Sequence, residues 1–104
     1  RHLINTKTSK LIKNKPLLVN IARGPIINEK VLVSLLKKKI ITGACLDVFE
    51  NEPININSKV TKFKNVILTS HNAFNTTEEV NKVHVNTYKN LVLGFKNEKF
   101  KKKT

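Results

Sequence analysis

Short apolar runs alternate along this chain with segments of helical period. Leu17-Leu18-Val19-Asn20-Ile21 is short and apolar, with Lys15-Pro16 before it and Gly24-Pro25 after it, and this predicts a strand. Residues 44–49 and 66–69 predict two more. Between the first two strands, Val31, Leu32, Leu35 and Leu36 recur at the spacing of one helix face. Asn28 is placed to cap that helix, and Lys37, Lys38 and Lys39 fall at its carboxyl end, where cations suit the macrodipole. Thr8 is placed to cap a short helix over residues 9–14. An asparagine-rich polar loop, closed by Pro53, follows the second strand. Thr76-Thr77-Glu78-Glu79 fits a capping box, with Thr76 as the cap and Glu79 at the third helical position. The long helix behind it carries Val80, Val83, Thr87 and Leu91 on one stripe, broadened by Tyr88, Val92 and Phe95. Gly94 is expected to end or loosen that helix.

The order is helix, strand, helix, strand, loop, strand, helix, which predicts an α/β fold with a partial doubly wound parallel sheet and a C-terminal helix. In such sheets ligands bind outside the carboxyl ends of the strands. Arg23 falls just past the first strand, Asp47, Glu50 and Glu52 at or past the end of the second, and His71 just past the third. A cation, carboxylates and an imidazole therefore converge on one sheet edge, a set suited to proton transfer beside an anionic substrate.

Composition narrows the partners. The 104 residues allow one small domain, and 39% hydrophobic residues in ordered clusters argue for folding rather than disorder. A net charge of +13 raises nucleic acid as a partner, but only Arg1 and Arg23 among the twenty basic residues are arginine. The lysines are spread along the chain, clustering only at Lys37–Lys39 and in the basic tail at 96–104, so a solvated surface is the simpler reading and no nucleic-acid partner is expected. No long apolar run or signal segment is present, which makes a cytoplasmic protein without a membrane partner the default expectation. The single Cys45 offers no disulfide and no metal-ligand spacing, so no metal is expected, and its place in a strand reads as a buried small hydrophobe.

Each candidate has a plainer reading. Arg23 is a surface arginine at worst, yet arginine kept among so many lysines suggests that its planar fork is needed. Glu50 and Glu52 read equally as loop acids, and Asn72 and Asn75 as turn or cap residues. His71 rises above a structural histidine only through its position and a carboxylate partner, whereas His2 and His84 have no such context.

The motifs together carry a resemblance. Asn20-Ile21-Ala22-Arg23-Gly24, the stretch from Gly43-Ala44-Cys45-Leu46-Asp47 through Glu50-Asn51-Glu52-Pro53, and Asn65-Val66-Ile67-Leu68-Thr69-Ser70-His71-Asn72-Ala73 resemble, in order and spacing, segments of D-isomer-specific 2-hydroxyacid dehydrogenases. Arg1-His2-Leu3-Ile4-Asn5 resembles a segment found upstream in the same family. The resemblance implies the second half of a Rossmann-type NAD-binding domain over residues 1–95, final helix included, as the C-terminal third of an enzyme that interconverts D-2-hydroxy acids and 2-oxo acids. It implies Arg23 as the substrate-carboxylate ligand, His71 as general acid/base and Glu52 as the acid that hydrogen-bonds the histidine and favours its protonated form. Ile21, Ala22, Arg23, Asp47, His71 and Ala73 would line the nicotinamide end of NAD, and the full-length enzyme would be a homodimer.

Ser70 stands where the family usually has proline, and Phe74 is closer to the D-lactate-dehydrogenase-like branch. The family's Gly-x-Gly-x-x-Gly loop cannot be formed from Gly24, Gly43 and Gly94, the only glycines. Two other readings stand beside this one: an inactive truncated remnant of such an enzyme, and a non-enzymatic basic binding module on the same fold.

Overall fold

The computed structural model describes residues 2–96. The chain forms two compact units, one ending at Ala73 and the other beginning at Phe74. In the first, β1 (Leu17–Asn20), β2 (Gly43–Leu46) and β3 (Val66–Leu68) make one parallel sheet in the order β1-β2-β3. Register sets Leu18 beside Ala44 and Ala44 beside Val66 on one face, and Val19, Cys45 and Ile67 in a row on the other.

The first face is covered by α1 (Glu29–Lys37), whose Leu32, Leu35 and Leu36 are buried against Ile27, Ile41, Ala44, Leu46 and Val60. The Asn28 side chain caps the helix as expected, accepting from the Val31 N–H at 3.1 Å. On the opposite face Val19 and Ile67 are 59% and 62% exposed. Cys45 lies between them and is only half-buried, because no element of this unit covers that side of the strand.

Differences from the sequence expectations are local. Residues 9–14 do not form a capped helix; a 3-10 turn spans Thr8–Leu11. Asn5 Oδ1 accepts from the Lys7 and Thr8 N–H groups, and the Thr8 hydroxyl donates to the Leu3 carbonyl. Further along, Asn14 and Lys15 take φ of 61° and 46° just before Pro16, which excludes a continuing helix. β2 ends at Leu46, before the expected Phe49, and the first and third strands each end one residue early. The loop holds an unforeseen 3-10 turn, Lys59–Lys62, pinned by Val60 at 1% exposure; four residues are too few to show a period.

The second unit contains α2 (Thr77–Lys96). The Thr76 hydroxyl accepts from the Glu79 N–H at 3.2 Å, while the Glu79 carboxylate takes Lys82 at 2.7 Å. Gly94 lies inside the helix; its cost, about 1 kcal/mol relative to alanine, is too small to end so long a run. The helix is described as far as Lys96, and the rest of the basic tail lies outside the described residues. Among the described residues no helix is long and apolar enough to cross a membrane.

The α1–sheet layer is the core of the first unit. Leu36→Ala, at 4% exposure, should lower the unfolding free energy by about 2–5 kcal/mol. Leu11→Ala, at 76% exposure, should change it by less than about 0.5 kcal/mol. Urea denaturation of the two variants checks this, and equal losses would remove α1 from the centre of the core.

Candidate active site at the carboxyl ends of the strands

The turn after β1 is shaped by the buried Asn20, at the strand's last position. Its side-chain amide donates to the Arg23 carbonyl at 3.0 Å, and its carbonyl oxygen accepts from the Ala22 N–H at 3.2 Å. This lifts Ile21, Ala22 and Arg23 out of the sheet, all of them exposed. An Arg23 guanidinium N–H donates to the Ala22 carbonyl at 2.7 Å.

Gly24 then runs against the loop after β2. A methyl group at its Cβ position would lie 1.7 Å from the Phe49 carbonyl oxygen, so no side chain can stand there without moving backbone. Glycine is required here by close approach.

Past β2, the Asp47 side chain is buried at 3% exposure. It accepts from the Thr69 hydroxyl at 2.6 Å, from the Asn72 N–H at 3.0 Å and from the Ala73 N–H at 2.9 Å. The Thr69 bond is the main reason its carboxyl sits below the ordinary value; burial opposes this, and the Ala73 and Asn72 amides and the His71 charge reinforce it. The same three bonds hold the turn that carries His71, whose φ is 59°, a conformation uncommon for a residue with a Cβ.

Glu52 faces that histidine. Its Oε2 accepts from His71 Nδ1 at 2.8 Å, and its Oε1 from the Phe49 N–H at 2.9 Å. The Phe49 amide and then the His71 bond hold the Glu52 carboxyl below its ordinary value, with the Arg23 charge also lowering it. The pair is about two-fifths exposed, His71 at 39% and Glu52 at 38%, and so open to a ligand. It lines an open cleft of about 620 Å³ with Phe49, Pro53, Ile54, Leu68, Thr69, Ser70 and Asn72. With Nδ1–H given to Glu52, Nε2 is the ring nitrogen that can face a substrate.

The structure thus joins Glu52 to His71 directly and sets Arg23 within electrostatic reach of Glu52, while Arg23 does not line the cleft. Ala73 reaches the site through its N–H on Asp47. Sequence reasoning missed Asn20 as the organiser of the Arg23 turn; a polar residue at the end of an apolar strand was the available signal. It also set His2 aside, yet His2 Nε2 lies 2.6 Å from Glu50 Oε1. His84 is exposed on α2.

Residues 1–73 match the family described as D-isomer specific 2-hydroxyacid dehydrogenase, NAD binding domain. The chain is 41% identical over 97 residues to a glyoxylate reductase of Thermofilum pendens, covering 93% of this chain and 29% of that protein. Among solved structures it is similar to a glyoxylate reductase from Paecilomyes thermophila, with a TM-score of 0.74 and 31% identity over 90% of this chain and 28% of that one. It is also similar to a D-isomer specific 2-hydroxyacid dehydrogenase from Xanthobacter autotrophicus Py2 in complex with NADPH and MES, with a TM-score of 0.65 and 35% identity over 68% of this chain and 23% of that one. The chain therefore spans less than a third of the length of these relatives.

Asp47 and Glu52 both have lowered carboxyl pKa values in the folded state. Their stabilisation is present above the unfolded carboxyl value and is lost as pH falls through the folded one, below about pH 4. Asp47→Asn should therefore be less stable than the parent near neutral pH, with the gap narrowing on acidification. Denaturant titrations across that range check this; a gap independent of pH would mean that the ionised carboxylate is not what the three donors bind.

Proposed function

We propose, from the premise that the chain belongs to the D-isomer specific 2-hydroxyacid dehydrogenase family through its NAD binding domain, that it supplies the proton-transfer and substrate-carboxylate groups of an enzyme interconverting a D-2-hydroxy acid and a 2-oxo acid. The observation that carries this reading is the His71 Nδ1–Glu52 Oε2 bond of 2.8 Å at the carboxyl ends of a parallel sheet, with the Arg23 charge near enough to help lower the Glu52 carboxyl.

A 2-oxo acid presents a carboxylate beside a carbonyl. Arg23 can bind the carboxylate through its fork, which fixes the substrate's orientation as well as its charge. His71 Nε2 is then the proton donor to the carbonyl oxygen during reduction and the acceptor during oxidation. Glu52 holds the ring in the tautomer that leaves Nε2 toward the substrate and gives a positively charged ring a counter-charge. A bound nicotinamide dinucleotide would supply or accept the hydride.

The residues fit the nicotinamide end of such a cofactor. Ile21 and Ala22 past β1, and Ala73 past β3, offer apolar and small groups at the strand ends. Asp47 contributes by holding the Ala73 amide and the turn behind it. We take NAD as the cofactor, after the domain's description, although a similar structure was solved with NADPH. Glyoxylate is the first 2-oxo acid to test, because two of the similar proteins carry that reductase name. A homodimer is the proposed assembly of the full-length enzyme, and the cytoplasm its proposed compartment.

In the enzyme that carries this chain, His71→Ala should depress turnover by about 10²- to 10⁴-fold, the usual worth of a general acid/base. Steady-state reduction of glyoxylate and related 2-oxo acids by NADH measures it, and unchanged turnover rejects the role. The 104-residue chain alone should show no NADH-dependent reduction, since its three glycines do not form a pyrophosphate-binding loop. Turnover by the purified chain would overturn that expectation.

A further inference from the structure

Glu50 stands two residues before Glu52, and its carboxylate does not face the cleft. Its Oε2 accepts from the backbone N–H of Glu29, the first residue of α1, at 3.0 Å, and its Oε1 lies 2.6 Å from His2 Nε2. A helix amino terminus and a histidine side chain thus hold one carboxylate, an arrangement that favours negative charge there. Behind it, the Phe49–Glu50 peptide lies against the Gly24 backbone. The next amide back along the chain, the Phe49 N–H, is the one that holds Glu52 Oε1. The ends of Glu50's contacts are themselves secured. Glu29 accepts from the Ser58 hydroxyl, and the His2 backbone N–H donates to the Pro25 carbonyl at 2.9 Å.

We propose that Glu50 is a positioning residue for the site: by fastening the loop after β2 to the start of α1 and to His2, it sets the Phe49–Glu52 turn so that Glu52 meets the His71 ring. The loop crosses from the rigid α1–sheet layer to an exposed turn, and Glu50 is the side chain that bonds back to the layer. Without that anchor, the loop keeps the burial of Val48, the packing of Phe49 on the core and the close approach of Gly24, and loses its bond to the start of α1 just ahead of Glu52. This rests on the reading of Glu52 as the histidine's partner in a proton-transfer site, but the geometry it concerns can be read without turnover.

The test is the titration of individual carboxyl groups by carbon-13 NMR in the full chain. Glu50→Ala should move the Glu52 titration upward, toward the ordinary carboxyl value, because the Phe49 amide and His71 would meet Glu52 less well. Asp47, held by Thr69, Asn72 and Ala73, should titrate as in the parent and so reports an intact fold. Direction separates positioning from simple charge. Deleting a neighbouring negative charge would by itself move Glu52 downward. Glu50→Gln keeps an acceptor for the Glu29 N–H and should hold Glu52 closer to the parent than Glu50→Ala does. A Glu52 that stays or moves downward, an Asp47 that moves with it, or a Glu50→Gln chain no better than Glu50→Ala would each overturn the proposal. Failure of the dehydrogenase reading would show as absent turnover in the enzyme that carries this chain, with these titrations of the chain unchanged.

Discussion

The site depends first on one buried carboxylate. Asp47 follows β2 directly and is buried inside the unit, where an ionised group is tolerated only if donors replace the water it has lost. The donors come from the segment just past β3: the Thr69 hydroxyl before His71 and the Asn72 and Ala73 backbone amides after it. The left-handed φ of His71 costs about 1–2 kcal/mol for a residue with a side chain. The turn nevertheless persists because the amides of Asn72 and Ala73 reach Asp47 only when the chain bends there. The strain and the buried charge are thus one device: the carboxylate needs the turn's donors, and the turn aims the imidazole.

A second constraint links the other two groups. Gly24, next to Arg23, lies against the Phe49–Glu50 peptide, and the Phe49 amide holds Glu52. Arg23 and Glu52 therefore sit on two loops in backbone contact, and a displacement of either loop is felt by the other. Their mutual electrostatics follows from that packing, since the Arg23 charge helps keep the Glu52 carboxyl low. Because backbone contact sets the two loops against each other, the main-chain positions from which Arg23 and Glu52 extend are fixed before a substrate arrives.

What was legible in the sequence follows the range of the interaction. The strands, α1 and its Asn28 cap were readable because periodicity and capping act within a few residues. The helix expected over residues 9–14 was misread because the Thr8 hydroxyl, taken as its cap, instead accepts from the Asn5 N–H and donates to the Leu3 carbonyl, and Asn14 and Lys15 turn left-handed. Arg23, Glu52 and His71 were placed at one sheet edge by strand order alone, and their roles came from the family resemblance. The 2.8 Å Glu52–His71 bond, by contrast, is visible only in three dimensions. Contacts across 48 and 21 residues, His2 to Glu50 and Glu29 to Glu50, leave no local signature at all. Cys45 shows the same limit: alternation tells which strand residues share a face, but burial depends on what covers that face.

The division of labour within the sheet explains why the site can be well formed in so small a piece of a fold. One face, with Leu18, Ala44, Leu46, Val66 and Leu68, packs on α1 and fixes the strand ends to about the precision of a core. The other face, with Val19 and Ile67, is apolar and exposed, whereas parallel sheets of this class have both faces covered. The hydrogen bonds that aim His71, Glu52 and the Arg23 turn lie at the carboxyl ends of the strands and in the loops just past them. Preorganisation of the proton-transfer pair is therefore a property of the strand ends and loops of the first unit. Whatever covers the second face can act on rate by what it brings to the cleft, without having to build the pair itself.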